Sequence, residues 1–165
     1  MFPFLIQDIY GYELDKVSLL LIPGYIVAVI IGALSGKIGK VLSSKVTITI
    51  AIVSIATSLF LPGLFVENSV FIFVASMILF SGSFALLYAP LLDTCVCTIP
   101  VDKKGTAVGF YNLIINVFGS IGMSYTATMM DSLSYSIVLF VLAIFAALAF
   151  LVYWLFVARL MNENA

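Results

Sequence analysis

Residues 135–158 read YSIVLFVLAIFAALAFLVYWLFVA, an apolar run without a charged residue. An α-helix rises about 1.5 Å per residue, so about 20 mainly apolar residues cross the hydrocarbon core of a bilayer. This run is long enough to do so. Inside lipid every backbone polar group needs a partner within its own segment, and a helix provides one. The run therefore predicts a transmembrane helix.

Other long apolar runs precede this one, and together they predict the fold class. The full-length runs cover residues 17–36, 46–66, 70–98 and 106–129, and a shorter run, 1–9, is interpreted as the tail of a helix. Charged residues make up only 9% of the chain, against about 25% in an ordinary soluble domain. The sequence predicts an all-α integral membrane bundle, with five full transmembrane helices and the end of a sixth, forming one domain over residues 1–165.

The distribution of cations predicts the orientation of the bundle, because short cytoplasmic loops collect Lys and Arg. Alternating crossings leave only Lys16 on one side and gather the other cations on the opposite side. These other cations are Lys37, Lys40, Lys45, Lys103, Lys104 and Arg159. We interpret five acids as solvated external charges, namely Asp8, Glu13, Asp15, Glu67 and Asp131. We therefore expect a multi-pass protein of the cytoplasmic membrane with its C-terminus in the cytoplasm.

The composition argues against several functional classes. A net charge of −1 argues against a nucleic-acid partner, which needs clustered cations. The chain contains no His, which removes the commonest metal ligand and the usual Ser–His or Cys–His nucleophile pair. Cys95 and Cys97 alone cannot complete a zinc site, and we interpret them as small apolar helix residues. We expect no metal, no cofactor and no enzymatic activity.

The run 106–129 carries a stripe of small and polar residues at spacings of three and four. Small residues in such a stripe let another helix approach closely. We predict this packing role for Gly105, Gly109, Gly119 and Gly122. The run 135–158, by contrast, is expected to face lipid all round, with Tyr153 and Trp154 at the membrane interface.

Residues 32–40, GALSGKIGK, lie between two predicted spans on the predicted cytoplasmic side. They resemble the signature loop of the major facilitator superfamily, G-x-L-[AS]-[DG]-[KR]-x-G-[RK]-[RK]. Val41 replaces the final base, and the matching residues are Gly32, Leu34, Ser35, Gly36, Lys37, Gly39 and Lys40. We expect the glycines to let this loop turn tightly against the helix ends.

Two further segments are similar to parts of fourteen-helix drug:proton antiporters of this superfamily. Residues 3–24, PFLIQDIYGYELDKVSLLLIPG, look like the opening of their C-terminal portion, and residues 105–122, GTAVGFYNLIINVFGSIG, look like their penultimate helix. The resemblance covers residues 3 to about 125. It implies half of a major facilitator bundle from a multidrug or tetracycline-type exporter, driven by protons and working by alternating access against an N-terminal half. We expect the chain, which opens inside a helix, not to transport alone.

Individual polar residues are candidates for the transport site. Asp93 is the candidate for proton coupling or gating, because an intramembrane carboxylate is a functional site by default; the alternative is an acid solvated at the interface near Lys103 or Lys104. Tyr88 and Tyr111 are candidates for stacking on a cationic or aromatic substrate. Substrate-cavity candidates on the next helix are Asn112 and Asn116. For these four residues, helix packing is the alternative.

Two other functions remain open on the same sequence. The chain could be a membrane subunit or assembly partner without a translocation path. It could also belong to a nutrient or metabolite facilitator of the same fold, because a fold does not fix a substrate.

Overall fold

The computed structural model describes residues 2–65, 70–97 and 99–157, apart from the side chains of residues 2–5, 40, 156 and 157. These residues form the α-helices α1 (Phe2–Tyr10), α2 (Leu14–Leu42), α3 (Ser44–Phe65), α4 (Val70–Val96), α5 (Lys104–Ser132) and α6 (Tyr135–Val152). A 3₁₀ turn, Val101–Lys103, precedes α5, and a π-helical turn, Tyr153–Val157, follows α6. Five of the helices, α2 to α6, are long and apolar enough to cross a membrane. Each of the five predicted spans falls on one of these helices, which suggests a multi-pass membrane protein. Glu67 and Arg159 lie outside the described residues.

Helix α2 continues through residues 32–40, so the predicted cytoplasmic loop is wrong. The whole segment is helical, and only Ser43, with a φ of 64°, separates α2 from α3. Glycine disfavours a helix by itself, but packing overrides that preference. A Cβ placed on Gly32 would lie 3.8 Å from Ala85 Cβ, and one on Gly39 would lie 3.7 Å from Pro90 Cγ. The contact with α4 therefore supports the helix where a loop was expected.

Helices α2 and α4 lie side by side and run in the same direction. A Cβ on Gly24 would lie 3.3 Å from Met77 Cε, and one on Gly82 would lie 2.8 Å from Ile31 Cδ1. Residues further along α2 contact residues further along α4, which shows that the two helices are parallel. The absence of a side chain at Gly24 and Gly82 is what permits this close approach.

Helices α3 and α6 pack against each other in opposite directions. The rings of Phe60 and Phe140 are 5.5 Å apart, and a Cβ on Gly63 would lie 3.2 Å from the Phe140 ring. At the other end, Lys45 Nζ lies 5.4 Å from the centre of the Trp154 ring. Tyr153 and three residues of α6 are buried, namely Val138, Leu139 and Ala143. The prediction that this helix faces lipid all round is wrong, because Gly63 opens a place on α3 for Phe140.

The contacts place successive helices in alternating directions, as predicted. Helix α3 packs between α4 and α6, and α5 returns along α4. The described side chains of Lys37, Lys45, Lys103 and Lys104 therefore lie towards one end, which we call the cationic end. At the opposite end α1 packs on α2 and α4, and the Tyr135 hydroxyl donates a hydrogen bond to the Asp8 carboxylate.

Helix α5 is attached more loosely than the rest. Among the described residues, Thr126 is its only buried residue. A Cβ added at any of its four glycines would meet no other atom within 4 Å; these are Gly105, Gly109, Gly119 and Gly122. Within the described residues these glycines therefore do not pack against another helix. Their predicted packing role stays a prediction, which would involve a partner helix.

We predict that Gly82→Leu destabilises the bundle and that Gly119→Leu does not. A side chain at Gly82 collides with α2, and overpacking of this kind costs about 1–3 kcal/mol. At Gly119 the same side chain meets open space. Thermal unfolding of both variants in detergent measures the difference, and equal midpoints would contradict the close α2–α4 contact.

Candidate functional site

A cavity of about 520 Å³ opens at the cationic end between α2, α4 and α5. We call it the cationic-end cavity. It is lined by Ser35, Gly36, Gly39, Ser44, Tyr88, Ala89, Pro90, Leu92, Asp93, Val96, Lys104 and Val108. The structure therefore brings the acid of α4 together with three residues of the segment 32–40.

The wall from α2 is shaped by its glycines. A Cβ on Gly36 would meet no other atom within 4 Å, while Gly39 lies against Pro90. The Ser35 hydroxyl donates a hydrogen bond to the Gly32 carbonyl at 2.7 Å, which satisfies it within its own helix. Leu34 and Lys37 are exposed and do not line the cavity, and the Lys40 side chain lies outside the described residues.

Two opposite charges line the same cavity. Asp93 is exposed and Lys104 is partly buried, and neither forms an ion pair with another described residue. Lys103, the other cation considered as a neighbour of Asp93, does not line this cavity. Asp93 therefore has no counter-charge bound to it among the described residues, and its role in coupling stays a prediction.

Tyr88 and Asn112 join α4 to α5. The Tyr88 hydroxyl donates a hydrogen bond to Asn112 Oδ1 at 2.6 Å, and the Tyr88 ring meets the Tyr111 ring edge to face at 6.0 Å. We call these three residues the α4–α5 joint. The structure thus favours the helix-holding interpretation of Asn112, while Tyr88 also lines the cavity.

The remaining candidates are not brought to the cavity. Asn116 Nδ2 donates to the Asn112 carbonyl at 2.8 Å, so this amide binds its own helix. Tyr111 lines a second groove on the other side of the joint, and its buried hydroxyl has no hydrogen-bond partner among the described residues. Sequence reasoning did not identify Ser44 as a cavity residue. It also did not show that Lys104 lines the cavity while Lys103 does not. The signal available for Lys104 was its position at the start of the helix that follows Asp93.

No family model, curated protein or solved structure matches this chain. The resemblance to the major facilitator superfamily therefore rests on its motifs, of which residues 32–40 are helical in this structure.

A double-mutant cycle tests the joint. We predict a coupling of about 0.6 kcal/mol between Tyr88→Phe and Asn112→Leu, the average for side-chain hydrogen bonds between membrane helices. The same cycle with Asn116→Leu should give a coupling near zero, because that amide binds its own backbone. Unfolding free energies in mixed micelles supply both values, and equal couplings would show that the joint does not hold α5.

Proposed function

We propose that this chain is the C-terminal part of a proton-coupled secondary transporter of the major facilitator type, which exports drugs or other small molecules across the cytoplasmic membrane. The observation that supports it best is the cationic-end cavity. There the α2 segment with the superfamily-like motif and the α4 helix with Asp93 line one cavity.

In this proposal Asp93 is the group that takes up the proton. An ionisable side chain in a membrane helix is costly and is kept for ion or substrate pathways. Asp93 lies where the cavity is open and no other described residue neutralises it. Protonation removes its charge before the cavity closes, and deprotonation restores a negative site for a cationic substrate. Lys104, on α5, lines the same cavity and is the cation available to the ionised carboxylate.

The partner in this proposal is an N-terminal half that rocks against the bundle in alternating access. Helix α5 offers it a surface, because Gly105, Gly109 and Gly119 leave their face of the helix open. Small residues of this kind let a partner helix come close. The same open face would serve an assembly subunit, which is the second candidate function; reconstituted transport distinguishes the two. A nutrient or metabolite facilitator would differ in substrate and direction.

The orientation belongs to this proposal as well. We place the cationic end in the cytoplasm, since Lys and Arg accumulate on that side. The native Cys97 lies at this end and is exposed, and Tyr12 is exposed at the other end.

Cysteine labelling tests the orientation. In intact cells a membrane-impermeant maleimide should leave Cys97 unlabelled until the membrane is permeabilised. Tyr12→Cys, in a chain whose native cysteines are replaced by Ser, should react without permeabilisation. The reverse pattern would overturn the orientation.

Asp93→Asn tests the coupling role in the chain co-expressed with its N-terminal half. We expect proton-driven efflux to fall at least about tenfold, because Asn keeps the shape but cannot carry a proton. Asp102→Asn is the matched control, since Asp102 is exposed in the 3₁₀ turn and does not line the cavity. Unchanged efflux by Asp93→Asn in inverted vesicles would eliminate this role, and efflux by the 165-residue chain alone would contradict the need for a partner half.

A further inference from the structure

A second groove, of about 700 Å³, lies on the side of the α4–α5 joint away from the cationic-end cavity. We call it the α4–α5 groove. Lys103 lies at its mouth, Val96 and Ile99 form the wall near the end of α4, and Ala107, Phe110 and Ile114 continue along α5. Its lining is apolar apart from a few polar residues near the mouth and the Tyr111 side chain, and among the described lining residues Lys103 alone is charged.

The length of the groove matches one leaflet of a bilayer. Ile114 follows Lys103 by eleven residues, which corresponds to about 16 Å along a helix. Half of a hydrocarbon core of about 30 Å is about 15 Å. A chain that enters beside Lys103 therefore reaches the middle of the membrane where the groove ends.

We propose that the α4–α5 groove binds one acyl chain of an anionic phospholipid from the leaflet at the cationic end, with the lipid phosphate on Lys103. The charge at the mouth selects the occupant. A basic residue at the membrane surface attracts anionic headgroups, and basic pockets between transmembrane helices bind them. The apolar wall below takes up the hydrocarbon chain.

This site is independent of the proposed partner surface of α5. Gly105 and Gly109 each lie two residues from Ala107, which is about 200° around a helix of 3.6 residues per turn. A partner helix seated on those glycines leaves the groove open to lipid. Lys104, one residue from Lys103, lines the cationic-end cavity instead. Two adjacent lysines therefore have different neighbours, which supplies a matched control.

Fluorescence quenching tests the lipid site. Trp154 is the single tryptophan of the chain, so Phe110→Trp in a Trp154→Phe background places the only indole in the groove. Phe110 is 62% exposed, so the groove accommodates the larger ring. The protein is reconstituted in vesicles of equal parts phosphatidylglycerol and phosphatidylcholine, with brominated chains on one lipid or on the other. The ratio of the two quenching values reports which lipid occupies the groove.

We expect brominated phosphatidylglycerol to be preferred by about fivefold, as for one lysine acting near an anionic surface. Lys103→Gln should bring the ratio to about one, and Lys104→Gln should leave it unchanged. Equal quenching by both lipids, or equal effects of the two substitutions, would overturn the proposal. Weak quenching by both lipids would overturn it too, because it would mean that protein covers the groove.

A second measurement needs no tryptophan substitution. Lipid that remains bound to the native chain after purification in mild detergent is extracted and identified. We expect about one anionic phospholipid per chain, lost in Lys103→Gln and kept in Lys104→Gln. Recovery of zwitterionic lipid alone, or loss in both variants, would contradict a site at Lys103.

Discussion

Within a bilayer the backbone of this chain finds hydrogen-bond partners only in its own helices, and this constraint governs how the helices associate. Buried serine and threonine hydroxyls follow the same rule. Ser58 and Ser83 each donate to a carbonyl three or four residues earlier in the same helix, and Thr47 donates to the carbonyl of Ser43, just before its helix. These short side chains do not link one helix to another. The helices are left to associate by shape, and they do so where Gly24, Gly63 and Gly82 remove side chains from the contact.

The loose attachment of α5 follows from the same constraint. Its own glycines make no close contact with a neighbouring helix. A side-chain hydrogen bond therefore contributes to its attachment. Tyr88 and Asn112 form that bond where the two helices meet. Two openings lie between α4 and α5 beside this bond. One opening contains Asp93 with Lys104, and the other contains Lys103.

The sequence was sufficient for the features that depend on long runs of residues. The five spans and the gathering of cations at one end followed from hydropathy and alternation, and the contacts of the described residues agree. The sequence could not distinguish Gly82 from Gly119. The packing role of a glycine depends on which atoms of another helix lie opposite it, and the sequence does not show them. The segment 32–40 was expected to be a loop because its motif has that form elsewhere, whereas its contact with Ala85 and Pro90 makes it helical. The cavity itself is formed by three helices, so the sequence could not show that Asp93 and Lys104 line the same space.

Ser43 has a consequence for how this chain tolerates insertions. It is the only residue between α2 and α3, and both helices present a chosen face to α4. One additional residue taken into α3 turns that helix by about 100° and advances it by about 1.5 Å. Thr47, Ile48 and Ala51, which are now fully buried, would then be turned away from their present contacts. This one residue sets the rotation of α3 relative to α2. The insertion or deletion of a single codon there would therefore misplace the buried face of α3.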